Sequence, residues 1–517
     1  MKYPISVQTF ETIIDRDCVY VDKTDLVYEL AQQHVCFLSR PRRFGKSLLI
    51  STLDAYFSGR KELFKDLKID DLENAWEKYP IFKVDFAAGN YHNPEELSNK
   101  LEEYVTVWEN EYAPKYVYTS LSDRFQAVLA AAEDKTGHKA VVLIDEYDKP
   151  LLDVLGTPIE EINRNILKGF YGTFKAADAN LRFVLLTGVT KFSQVSVFSG
   201  FNQPYDISMD SKFDAICGIT EEELYKYFAE PITEMAQVRE CSIDEMKTLL
   251  KKQYDGYHFS ARMLDIYNPF SIINAFGKMR IDDYWYQSAT PTYLVKLLEG
   301  HSVNMQKLIG ESYESSYFMD YRANVEDPLA MLYQSGYLTI KGYNIRHGVY
   351  QLDYPNDEVR KGFVNLIANS YFNTPANKNI NWILRLDDML RDGDLDSVRD
   401  AFTSFLASIP YEANKDERAK DFETHFSYTF YIINRLLGCY TTLIEKQNSK
   451  GRADIIIETE NDVFIFEFKL DKSAKEALTQ IEEMQYAIPY LNDARAIHKI
   501  GVNISSVSRT VDEWLVE

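Results

Sequence analysis

The feature that most constrains this chain is the segment 34–57. An apolar run at 34–39 (HVCFLS) is followed by the turn Arg40-Pro41-Arg42-Arg43-Phe44-Gly45-Lys46-Ser47, and then by a helical stretch from 46 to 57 that stops near Gly59. A short apolar run bounded by turn residues reads as a buried strand, and a glycine after a helical pattern reads as its end. A strand feeding a tight turn and a helix aims the turn's N–H groups and the positive end of the helix dipole at one point. That geometry binds anions. Lys46 is placed to reach the β- and γ-phosphates of a nucleoside triphosphate, with the Ser47 hydroxyl on Mg2+. The first glycine of the full G-x-x-x-x-G-K-[ST] pattern is replaced by Arg40. A GKS triplet arises often by chance, so its place between strand and helix is what makes it specific.

Three further runs, 81–86 (IFKVDF), 140–145 (AVVLID) and 182–187 (RFVLLT), read as strands separated by helical patterns at 96–112, 121–134 and 160–178. Alternation of this kind predicts an α/β domain. The run at 140–145 ends in Asp145-Glu146, the pair needed to hold Mg2+ (Asp145) and to activate a water (Glu146). The next strand leads into Thr187-Gly188-Val189-Thr190-Lys191. Ligands of open α/β sheets bind beyond the carboxyl ends of the strands. Thr187, Thr190 and Lys191 are therefore candidates to face the γ-phosphate, with a plain strand exit as the alternative for each. The expected nucleotide set is Arg43, Phe44, Gly45, Lys46, Ser47, Asp145, Thr187 and Lys191. Arg42 and Arg43 have two readings, as phosphate contacts or as side chains supplied to another subunit.

Beyond about residue 215 the character changes. Residues 216–410 read as a tyrosine-rich helical region with turn-like clusters at 254–257 (YDGY) and 267–269 (YNP), and a strand-like piece at 336–341 (GYLTIK). Helices with a small hairpin predict a winged-helix-like lid. Residues 411–517 read as a separate α/β unit: helix 416–437, strands 440–445, 453–458 and 462–468, helix 473–487 and strand 495–503.

That last unit carries Gly451-Arg452-Ala453-Asp454 and Glu467-Phe468-Lys469. Side chains two apart on a strand leave the same face, so Glu467 and Lys469 project together, with Asp454 opposite them on the neighbouring strand. Two carboxylates and an ammonium suit Mg2+, or Mn2+, bound through oxygen, with the lysine orienting a water for attack on a phosphodiester. Glu423 on the preceding helix is a candidate third carboxylate, and Gln480 a further polar contact. E-x-K alone occurs everywhere by chance; the GRAD segment and Glu423 upstream give it meaning.

Length and charge set bounds on these readings. At 517 residues two or three domains are expected. A net charge of −22 argues against a polybasic nucleic-acid binder and requires a local basic groove or a metal wherever phosphates are held. The cysteines (Cys18, Cys36, Cys217, Cys241, Cys439) have neither zinc nor disulfide-framework spacing. No leader-like or membrane-length apolar run stands out. The expectation is a cytoplasmic protein with no membrane segment.

Tyr20-Val21-Asp22-Lys23-Thr24, the loop RPRRFGKS, Asp145-Glu146-Tyr147-Asp148 and Gly188-Val189-Thr190-Lys191-Phe192-Ser193 together resemble the AAA-ATPase-like family of bacterial proteins. The resemblance extends over nearly the whole chain, and in that family arginine at the first-glycine position is usual. It implies ATP binding, and a C-terminal domain of the PD-(D/E)XK nuclease superfamily. That superfamily's order is helix Glu (Glu423), strand Asp (Asp454), strand E-x-K (Glu467, Lys469), helix Gln (Gln480). Ala453 stands where the motif's name has proline. The implied architecture is a P-loop NTPase three-layer α/β/α domain (1–215), the helical middle region (216–410) and a restriction-endonuclease-like α/β domain (411–517). The expected function is an ATPase coupled to a metal-dependent nuclease, with Glu146, Asp454, Glu467 and Lys469 catalytic. The metal ligands would be Ser47 and Asp145 at one site, and Glu423, Asp454 and Glu467 at the other. The alternative is an NTP-dependent switch or scaffold that binds DNA or a protein partner without cutting. Self-association or a protein partner is compatible with either.

Overall fold

The computed structural model describes residues 2–116, 118–192, 204–289, 309, 311–320, 328–372, 376–408, 429, 432–433, 435–438, 455–491, 493–508 and 510–517. The chain forms two compact units, Met1–Val359 and Arg360–Glu517.

The first unit is built on five parallel strands: β1 (Val35–Ser39), β2 (Ile81–Asp85), β3 (Ala140–Asp145), β4 (Leu181–Gly188) and β5 (Tyr205–Asp206), in the order β2-β3-β4-β1-β5. β3 is buried at every position, as expected of a central strand covered on both faces. Alternation along β2 assigns the two layers. Phe82 packs on Trp108 and Phe125, from the helices Glu96–Tyr112 and Leu121–Thr136. Lys83 points the other way and meets Asp54 of the helix Lys46–Phe57 at 3.3 Å. The result is the three-layer α/β/α arrangement.

The same unit contains helices of the middle region. Two begin in capping boxes, Thr220 with Glu223 and Ser242 with Glu245, each satisfying otherwise unpaired N–H groups of a first turn. The 267–269 cluster is more than a turn: Asn268 accepts from Ser271 N at 3.1 Å and caps the helix Pro269–Lys278, with proline in its first turn. A core of Leu224, Phe228, Ile232, Met246, Leu250 and Phe276 holds these helices together. β6 (Ile219–Thr220) pairs with β7 (Ile266–Tyr267), and β8 (Ser312–Tyr313) joins the hairpin of β9 (Thr339–Asn344) and β10 (Val349–Asp353). Tyrosines are buried across this unit: Tyr147, Tyr171, Tyr254, Tyr257, Tyr267 and Tyr337 are fully buried, and Tyr254 and Tyr267 belong to this core.

One buried acid stands out. Glu358, in the first turn of the helix Asp357–Phe372, accepts from Trp285 N at 2.6 Å and Ser271 Oγ at 2.8 Å. Burial pushes its carboxyl from 4.5 up to about 8. The folded state therefore keeps a proton that the unfolded chain releases. This contribution to stability is complete below pH 4.5 and lost as pH rises to about 8. Glu358→Gln preserves both contacts, because its oxygen accepts from Trp285 and its amide donates to the rotatable Ser271 hydroxyl. Urea unfolding from pH 5 to 9 should show the variant gaining on the native protein as pH rises, by about 4 kcal/mol at the alkaline end. Parallel pH profiles would refute this.

The second unit contains the helices Ala376–Arg391 and Leu395–Ser408 and a four-stranded sheet: β11 (Ile455–Glu458), β12 (Asp462–Leu470), β13 (Ala496–Ile504) and β14 (Val511–Val516), in that order. β12 and β13 are parallel, joined through the helix Ala474–Glu483, and the outer pairs are antiparallel. Phe466 and Phe468 face Phe402 on one side of β12. Val463 and Ile465 pack with Leu478 and Ile481 on the other. The expected strand at 440–445 and most of the expected helix 416–437 lie outside the described residues. β14 is an addition that the sequence pattern did not reveal.

Candidate nucleotide and metal sites

β1 ends at Ser39, and the loop that follows is fastened by its own side chains. Arg40 is 1% exposed; its guanidinium donates to the carbonyls of Ser208 (2.8 Å) and Phe213 (3.2 Å) and lies over the Phe259 ring. The arginine in the first-glycine position is thus a bolt behind the loop. Phe44 is also an anchor, its ring wedged against Tyr257 and Phe259 at centroid distances of 4.7 and 5.5 Å. Gly45 has φ +93°, a left-handed conformation that glycine adopts without strain. Arg43 adopts φ +67°, which it does not adopt freely.

Among the described residues, the amide N–H groups of Arg43, Gly45, Lys46 and Ser47 take no part in any hydrogen bond. Unpaired donors in a row at a helix start form an anion nest. The Lys46 ammonium, buried, donates to the Arg40 and Pro41 carbonyls at 2.9 and 3.0 Å. Burial lowers its pKa, partly offset by Glu146, Asp145 and Asp148. Above the loop opens a cleft of about 890 Å³ whose charged lining, among the described residues, is Arg16, Arg42, Arg43, Lys46 and Lys149 against the acid Glu146. In a chain of net charge −22 this is the local reversal of sign that a polyphosphate site requires.

The acids arrive from β3. Asp145 Oδ1 accepts from Thr187 Oγ1 (2.7 Å) and Glu146 N (3.0 Å), which leaves Oδ2 with no partner among the described residues. β4 lies between β1 and β3, which is why Thr187 reaches Asp145. Glu146 sits at φ +50°. Burial raises its pKa, with Lys46 opposing and Asp145 reinforcing the shift. Asp148 is 1% exposed and accepts from Val189 N (3.0 Å) and Thr190 N (2.6 Å), clamping the loop after β4. Gly188 has no room for a Cβ there, which would fall 2.6 Å from Asp148 Oδ1. Lys191 is placed differently from the other candidates: its ammonium is held by Asp206 (2.9 Å) and Asp320 (3.2 Å). The Arg16 and Lys149 contributions to the cleft were not foreseen, because neither belongs to a motif and only the fold brings them there.

In the second unit, Glu467 and Lys469 leave the same face of β12, as their spacing requires. Lys469 Nζ donates to Glu467 Oε1 at 2.9 Å and to Gln480 Oε1 from the overlying helix. Glu467 is 2% exposed. Asp454 and Glu423 lie outside the described residues, and among those described no three His, Cys, Asp or Glu side chains gather as a metal site. The carboxylate and amide oxygens present fit a hard divalent cation.

Residues 4–198 match the profile of a family described as a predicted AAA-ATPase, and residues 421–514 that of the PD-(D/E)XK nuclease superfamily. The chain is 35% identical over 528 residues to an uncharacterized protein from the vnfD 5′ region of Azotobacter chroococcum mcd 1, an alignment covering 100% of this chain and 99% of that one. This chain belongs to the AAA-ATPase-like family. The parallel sheet is consistent with the P-loop fold of this family, and the C-terminal mixed sheet with the nuclease-superfamily domain. The architecture of this AAA-ATPase-like protein is that of an ATPase-like domain with a C-terminal nuclease-like domain. No helix among the described residues is long and apolar enough to cross a membrane.

Proposed function

We propose that the protein binds and hydrolyses ATP in the cleft above residues 40–47, and that its C-terminal unit cleaves nucleic-acid phosphodiesters under nucleotide control. The observation that carries the first half is the run of unpaired loop amides beneath a cationic cleft. Lys46 exchanges its two loop carbonyls for the β- and γ-phosphates, and Arg42, Arg43 and Lys149 neutralise the rest. The Ser47 hydroxyl and Asp145 Oδ2 would hold Mg2+, which would supply further charge neutralisation. Thr187 keeps Asp145 oriented. Glu146, its basicity raised by burial, takes the proton of the attacking water.

In the C-terminal unit, Glu467 with Asp454 and Glu423 would hold Mg2+ or Mn2+, which supplies Lewis acidity at the scissile phosphate. Lys469, steered by Gln480, orients the water. The net charge of −22 favours a second reading, in which this unit binds a protein partner without cutting.

The test is to measure ATP turnover and cleavage of labelled single- and double-stranded DNA and RNA with Mg2+ or Mn2+, with and without ATP. Glu146→Gln should retain ATP affinity while turnover falls about 100-fold. ATP binding without cleavage of any substrate would favour the second reading, and full turnover by Glu146→Gln would remove this residue from its role.

A further inference from the structure

Three successive carbonyls of the phosphate-binding loop are engaged by side chains: those of Arg40 and Pro41 by Lys46, and that of Arg42 by the indole N–H of Trp285 at 3.0 Å. Trp285 belongs to the short helix Tyr284–Ala289 of the middle region. It is fully buried, packed edge-on against Tyr337 at 5.2 Å, and its own backbone N–H is held by Glu358.

The third contact has a consequence for the next residue. In a planar trans peptide the C=O and the following N–H point in opposite directions. Drawing the Arg42 carbonyl toward Trp285 therefore turns the Arg43 N–H the other way. That N–H is one of the unpaired loop donors. The orientation also accounts for the φ of +67° at Arg43. Rotating this peptide by half a turn would carry φ back to the negative region that L residues prefer. The loop's relaxed form thus has the carbonyl where the phosphate donor should be, and an external contact must hold the other form.

We propose that Trp285 is a positioning residue for the nucleotide phosphates: its indole N–H fixes the Arg42–Arg43 peptide with the amide presented to the anion. Glu358 fixes Trp285 in turn. This rests on the reading of the cleft as a nucleoside triphosphate site, and it makes a helix outside the strand–loop–helix motif a determinant of affinity. Glu358 lies in the first turn of the helix Asp357–Phe372.

The test titrates the full chain with ATP·Mg2+ and, separately, with inorganic tripolyphosphate, which has no base or sugar. Trp285→Phe should weaken both by the same factor, about fivefold, as expected for one hydrogen bond. In an Arg43→Gly background the same replacement should cost less than about twofold, because glycine holds the positive φ unaided. A merely structural role for Trp285 predicts equal losses in both backgrounds. If Trp285→Phe does not fold, 3-benzothienylalanine at this position keeps the bicyclic shape and removes only the donor. Affinities unchanged in either variant, or equal losses in both backgrounds, overturn the proposal. A native protein that binds neither ATP nor tripolyphosphate overturns the nucleotide reading itself, and this inference with it.

Discussion

Lys46→Ala should lower ATP turnover (kcat/KM) about a thousandfold, the scale expected when one preorganised charge on the reacting phosphates is removed. Without nucleotide its ammonium is buried and serves only the Arg40 and Pro41 carbonyls. Losing those two contacts is offset by no longer burying a charge, so the unliganded fold should change by no more than about 1 kcal/mol. The two effects separate cleanly. Thermal melts should show nearly equal midpoints without ligand, and an ATP-induced rise only in the native protein. Turnover that survives in Lys46→Ala would mean that the cleft is not where ATP reacts.

Lys469→Ala should reduce metal-dependent phosphodiester cleavage about a thousandfold while leaving ATP turnover intact. The ammonium lies between Glu467 Oε1 and Gln480 Oε1, so it both balances a buried carboxylate and has a fixed direction. Taking it away leaves extra negative charge beside Glu467, which weakens the fold without metal but favours a bound cation. The variant should therefore melt lower in EDTA and recover a larger share of its stability on adding Mn2+. Cleavage at the native rate would show that the E-x-K pair on β12 is structural, and would move the assignment to a non-cutting partner site.

The strand and helix around the phosphate loop emerge at Val35–Ser39 and Lys46–Phe57, as the apolar run and Gly59 imply. Amphipathic helices such as Glu96–Tyr112 were equally plain, because one face must be apolar to cover the sheet. The i, i+2 relation of Glu467 and Lys469 follows from strand geometry alone. β14, with its alternating VDEWLV sequence, was missed: an edge strand is stabilised by backbone pairing with β13, and pairing leaves little trace in composition.

Local order along the chain thus determined the kinds of element, the phosphate loop and the acids that follow β3, since each depends on residues a few positions apart. Which side chains surround them was decided by the tertiary structure. Burial turned Arg40 and Phe44 into anchors, because neither can face an anion while packed against Phe259. Lys191 was drawn to Asp206 and Asp320, and Thr187 to Asp145, by contacts across 15 to 129 residues or, for the threonine, 42. Trp285 meets Arg42 across 243 positions. Contacts at such separations carry no periodicity or spacing to read; they exist only once the sheet order and the helix packing have brought distant segments within hydrogen-bond reach.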